Sequence, residues 1–224
     1  MDYVKAFEQE IATETLVQDI GKKMMQVFKF FSDLIKKAIK FISEHLGRLA
    51  KIKKTDEDPT PNSQGKPAGA EVMQKKVEKT VTYAEDLYDC GNELTTVVAD
   101  IEFCVQLLMK RPKPDYKVNK KYDERWEQDN SLIADRMANS LNTLEKLEAI
   151  EKKTVSYETG MALKTKLEDL NQTYDKYGRI YQQFIKQHPH LEQYMLSTQN
   201  SFNSISSTGA KALNLILQLY TPAE

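Results

Sequence analysis

Cross-linking, metal-binding and chain-breaking residues are scarce: the 224 residues include two cysteines, three histidines, one tryptophan, eight glycines and seven prolines. Each shortage excludes something. The few glycines form no hairpin dipeptide between alternating segments, and no proline lies between Pro114 and Pro189, so strands and frequent turns have little support. None of the histidines follows a glutamate by three residues, so the Glu-x-x-His pairs of di-iron bundles are missing. HExxH, a Walker loop, GxGxxG and GxSxG are missing too. His188 and His190 flank Pro189 and read as turn or solvent-facing groups, while His45 stands alone on a basic helix. No catalytic residue, cofactor site or metal site is therefore expected, and the chain reads as non-enzymatic. Cys90 and Cys104, on a common helix, would share a face about 21 Å apart, too far to pair, and read as free thiols in a core stripe.

Long apolar runs are also absent. No segment approaches the roughly 20 apolar residues that span a bilayer, so any membrane contact is expected to be peripheral. The opening is acidic, with Asp2, Glu8, Glu10, Glu14 and Asp19 against Lys5, and no apolar run follows, which argues against a secretory signal. A net charge of -1 gives no global attraction to nucleic acid, but the charge is unevenly placed: +4 over residues 1–54, -2 over 55–70 and -3 over the remainder.

The excess of positive charge lies in residues 20–54, where ten Lys or Arg oppose only Asp33 and Glu44. Apolar residues there recur at steps of three and four, and Val27, Phe28, Phe31, Leu34, Ile35, Ile39, Ile42 and Leu46 form a candidate partner- or membrane-docking face. Lys22, Lys23, Lys29, Lys36, Lys37 and Lys40 form its basic face, while Phe30 and Phe41 widen the apolar one. Such a face needs burial in the rest of the chain, in a second copy or in a lipid surface, and the pattern alone does not choose.

Thr55–Ala70, with three acids, three prolines and two glycines, reads as a flexible linker. Residues 1–54 are then an N-terminal basic amphipathic helix, and 71–224 a helical body with helices over about 71–110, 115–153, 157–187 and 190–220, broken at Pro112, Pro114 and Pro189. The fold class is all-α: an elongated antiparallel four-helix bundle preceded by a long basic amphipathic helix, with short connections favouring up-and-down topology.

Two further features bear on function. Lys110, Arg111, Lys113, Lys117, Lys120 and Lys121, interleaved with Tyr116, Tyr122 and Trp126, are candidate phosphate contacts beside stacking aromatics, diluted by Asp115, Asp123 and Glu124. Tyr174, Tyr177, Tyr181 and Tyr194 fall at bundle positions where a buried ring can send its hydroxyl to a polar seam. With the small residues Ser201, Ser204, Ser206, Ser207 and Gly209 they suggest close helix contacts and homo-oligomer formation.

The opening Tyr3-Val-Lys-Ala-Phe-Glu, then Ile11, Phe28, Lys36-Lys-Ala-Ile-Lys-Phe-Ile42 and a polar linker, resembles small helical virion proteins of tailed phages that infect Gram-positive bacteria, over about the first 54 residues. In some large phages a propeptide is cut after a small-x-Glu sequence, which Ala12-Thr13-Glu14 is similar to, making Glu14 a candidate processing site. The resemblance implies a structural or assembly protein, located in the virion or host cytoplasm, whose N-terminal helix docks on other structural proteins, on itself or peripherally on a membrane. A membrane-perturbing effector and a nucleic-acid-associated packaging protein are the alternatives. No small-molecule substrate is expected.

Overall fold

The computed structural model describes residues 20–56, 87–110, 120–187 and 192–220, with side chains described over 25–49, 87–110, 124–183 and 198–220. The described residues are all-helical apart from one short ladder. Helix α1 spans Ile20–Asp56, strand β1 Tyr88–Asp89, α2 Gly91–Met109, α3 Lys120–Glu148, β2 Lys153–Thr154, α4 Tyr157–Gln187 and α5 Glu192–Tyr220.

Three expected boundaries change. The expected helix over 71–110 does not run unbroken, because Tyr88–Asp89 form a strand and α2 starts only at Gly91. The cause is a parallel ladder, with Tyr88 opposite Lys153 and Asp89 opposite Thr154. The Tyr88 N–H donates to the Lys152 carbonyl at 2.9 Å and the Cys90 N–H to the Thr154 carbonyl at 3.0 Å, bonds that a continuing helix would forfeit. The same ladder ends α3 at Glu148, short of the expected residue 153. α1 continues through Asp56, two residues into the expected linker. Residues 1–19, 57–86, 111–119 and 188–191, including the rest of that linker and the proline breaks, lie outside the described residues.

The larger correction concerns α1, which is not set apart from the helical body. α1 packs on α4 and α5, α2 packs on α3, α4 and α5, and α3 packs on α2 and α5. Phe31, Ile35, Ala38 and Ile42 of α1 are all fully buried in the same core as Leu94, Leu108, Leu167 and Ile216. At the centre the Phe28 ring meets Tyr174 at 4.9 Å, Tyr177 at 5.2 Å and Phe202 at 4.5 Å between ring centroids, tying α1, α4 and α5 into one aromatic cluster. Polar contacts fix the outer seams. Glu102 of α2 pairs with Lys166 of α4 at 3.3 Å, Arg136 of α3 pairs with Asp100 of α2, and the Ser201 hydroxyl of α5 donates to Asn130 of α3 at 2.7 Å.

Candidate interaction surface

The expected docking face of α1 is not available to an outside partner. Val27, Phe28, Phe31, Leu34, Ile35, Ile42 and Leu46 are buried, and Ile39 is half-buried against the same core. The physical reason is the size of the stripe: burying one such side chain stabilises by about 1.5–3 kcal/mol, and α4 and α5 offer apolar surface within the chain. Phe30 and Phe41 are half-buried against the core as well.

What α1 shows to solvent is its cationic side. Lys29, Lys36, Lys40 and Arg48 are exposed and Lys37 is half-exposed, with Asp33 and Glu44 also exposed. Lys40 lies 3.9 Å from Glu44, a solvent-screened contact of small worth. Lys37 sits 5.8 Å from the centre of the Phe41 ring, so an aromatic face supports that cation from below. The backbones of Lys22 and Lys23 belong to α1, but their side chains lie outside the described residues.

A cleft of ≈ 210 Å³ runs between α1 and α4 beside this ridge, lined by Lys29, Asp33 and Lys36 on one side and Asp175, Arg179 and Gln182 on the other. Phe28, Met25 and Tyr174 line it too. The Ser32 hydroxyl donates to Asp175 Oδ1 at 3.1 Å across the seam. Gly178 lies against the Phe28 ring, whose nearest atom would meet an added Cβ at an ordinary contact distance of 3.4 Å. The contribution of Arg179 and Asp175 escapes the sequence reading because they sit on the outer edge of a stripe read only for its tyrosines.

The second candidate surface is only partly within the described residues. Lys110 is an exposed turn residue at the end of α2, while Arg111, Lys113 and Lys117 lie outside the description. Lys120 and Lys121 open α3 with undescribed side chains. Trp126 is buried, so its ring is not offered for base stacking. Glu14 lies outside the described residues.

The interior places buried Thr198, Ser201, Ser206 and Thr208 of α5 in the same body as the tyrosines. Tyr174, Tyr177 and Tyr181 are fully buried, and the Tyr181 hydroxyl finds no hydrogen-bond partner among the described residues. Burial raises the Tyr174 phenol well above its ordinary value, tempered only by the Ser206 hydroxyl. Both cysteines are free and buried. Burial pushes the Cys90 thiol up to about 11 and the Cys104 thiol up to about 12, the opposite of an activated nucleophile.

The densest polar constellation is one the sequence reading missed. Asp89 Oδ1 accepts from the Gly91 N–H at 3.0 Å, the Ser156 N–H at 3.3 Å and the Thr159 hydroxyl at 2.9 Å. Because Gly91 opens α2 and Ser156 precedes α4, one carboxylate serves two helix N-termini, where anions are stabilised. Burial raises its pKa, but the hydrogen bonds from Ser156, Gly91 and Thr159 outweigh that, and the net shift is downward. The chemistry of this group is structural: every Oδ1 contact holds the chain to itself.

Among the described residues no group of His, Cys, Asp and Glu could hold a metal ion, and no helix is long and apolar enough to cross a membrane. No family model, curated protein or solved structure matches the chain.

Proposed function

We propose that the chain is a non-enzymatic structural and assembly protein, an elongated antiparallel helical bundle that presents the basic side of α1 to an acidic partner surface. The resemblance of its first 54 residues points to a phage particle as the setting. One observation carries the reading: α1 spends its apolar face inside the core and leaves Lys29, Lys36, Lys37, Lys40 and Arg48 outside on a helix held firmly in place. Cations on a fixed helix meet an acidic surface without first ordering a free segment, so less entropy is lost on docking. This replaces anchoring through the apolar face, which would require α1 to leave α4 and α5.

The test uses the full chain, since removing α1 would strip the core. Co-elution with poly-L-glutamate near 0.05 M salt should be lost near 0.5 M, where the screening length falls to a few Å. It should also be lost in a Lys29→Gln, Lys36→Gln, Lys40→Gln variant. Binding that survives in the variant would overturn the reading. The membrane alternative retains one specific support, the Lys37 cation above the half-buried Phe41 ring at 5.8 Å. Flotation with anionic but not neutral vesicles would favour it over a protein partner.

A further inference from the structure

The partner of the basic ridge can be sought on this same molecule. α3 carries Glu124, Glu127, Asp135, Glu145 and Glu148 in exposed positions against exposed Arg125 and Lys146, an excess of three negative charges. Glu124, Glu127, Asp135 and Glu145 fall on one helix face, at steps of three, eight and ten residues, over roughly 32 Å at about 1.5 Å per residue. α1 mirrors this count, with five described cations on its outer side against Asp33 and Glu44, an excess of three positive charges. Lys29, Lys36 and Lys40 likewise share one face.

The two faces are carried by helices with different neighbours: α1 packs on α4 and α5, α3 on α2 and α5. The acids that pair between helices within the fold are not these. Asp100 takes Arg136 of α3, and Glu102 takes Lys166, so the internal pairs engage α2 and leave the outer carboxylates of α3 exposed.

We propose that the outer face of α3 is the docking surface for the lysine ridge of α1 on a second copy of this chain. This rests on the reading of that ridge as a partner-presenting surface and names the partner. The contact is heterologous, because face α1 of one copy meets face α3 of the next. Such a contact repeats into a ring or a filament and does not stop at a two-fold dimer. Surface charge also sets its character: fast, salt-sensitive association with register fixed by complementary signs.

The experiment is sedimentation velocity on the full chain near 0.05 M and 0.5 M salt, over a hundredfold concentration range. Species larger than the 25.8 kDa monomer are expected at low salt and should disappear at high salt. A Lys29→Glu, Lys36→Glu, Lys40→Glu chain and a Glu124→Lys, Glu127→Lys, Asp135→Lys chain should each be monomeric alone. Mixed together they should associate again, because every junction between them regains opposite signs. All six positions are exposed, so helical content by circular dichroism should be retained in both variants. A wild-type chain that stays monomeric at low salt, or reversed chains that do not associate on mixing, would overturn the proposal. If the monomeric wild type still binds poly-L-glutamate through α1, the self-contact fails while the basic-face reading stands; if neither occurs, both fail.

Discussion

The Phe31 ring of α1 lies so close to Gly209 of α5 that a Cβ at position 209 would overlap the ring. Phe31 is fully buried there, so the ring has no room to swing away. Helix α1 thus sits in the core because α5 gives up a side chain at that one turn. Gly209→Ala would normally gain up to about 1 kcal/mol of helix propensity. Here overpacking by about 1–3 kcal/mol should outweigh it, giving net destabilisation and a lower urea midpoint. Gly47→Ala on the exposed side of α1, where nothing lies within 4 Å of an added Cβ, should stabilise by about 0.5–1 kcal/mol. Equal responses at the two positions would contradict the close approach.

Phe31→Ala should cost about 3–5 kcal/mol, as expected for a large ring removed from a packed interior. In that background Gly209→Ala should become nearly neutral, because the ring it collides with is gone. Chemical denaturation of the four members of this cycle should show a coupling of about 1–2 kcal/mol, in the range found for residues in contact. Additive effects would mean that the two residues do not meet.

Helical character was legible because the period of the apolar residues reports directly on which face is buried, and Phe28, Phe31, Ile35 and Ile42 form the inner stripe of α1. The same period is silent about where that stripe finds cover. A linker rich in proline, glycine and acids suggested an independent α1, but linker composition speaks of the connecting chain and not of the affinity between the elements it joins. The decisive feature was Gly209, a single glycine whose value depends on a ring contributed by a helix far away in sequence. Asp89 was hidden for a related reason. Its three donors come from Gly91, Ser156 and Thr159, and two of them lie 67 and 70 residues away, so no local pattern announced the break in the expected helix.

Asp89 makes stability depend on acidity. Its folded pKa is lowered from the ordinary 3.8, so its contribution is fully present above that value and is lost as pH falls through the folded pKa below it. Asp89→Asn keeps the acceptor oxygen but removes the charge, so it should destabilise at neutral pH by about 0.3–1 kcal/mol, as for loss of an anion at a helix N-terminus. The difference from wild type should narrow as pH falls below about 4. Urea midpoints for the two chains at pH 7, 4 and 2 would check this, and a gap that persists undiminished at pH 2 would place the effect elsewhere than in the carboxylate charge.

The thiols give the last expectation, and it concerns how the molecule opens. Cys90 donates its thiol to the Thr154 carbonyl at 3.2 Å beside the ladder, whereas Cys104 lies within α2, both shielded from solvent. Burial pushes Cys90 up to about 11 and Cys104 up to about 12, so neither forms much thiolate near neutral pH. An aromatic disulfide reagent should leave both unmodified in the native chain and modify both in denaturant. Raising the pH from 7 to 9 should accelerate labelling mainly by increasing the thiolate fraction in opened states, where each thiol regains its ordinary pKa. Phe31→Ala, by loosening the core, should speed labelling of both cysteines by the same factor by which it raises the unfolding equilibrium constant if they react only from the globally opened chain. If Cys90 alone accelerates, the ladder and the start of α2 open as a separate unit, and the two ends of α2 differ in local stability.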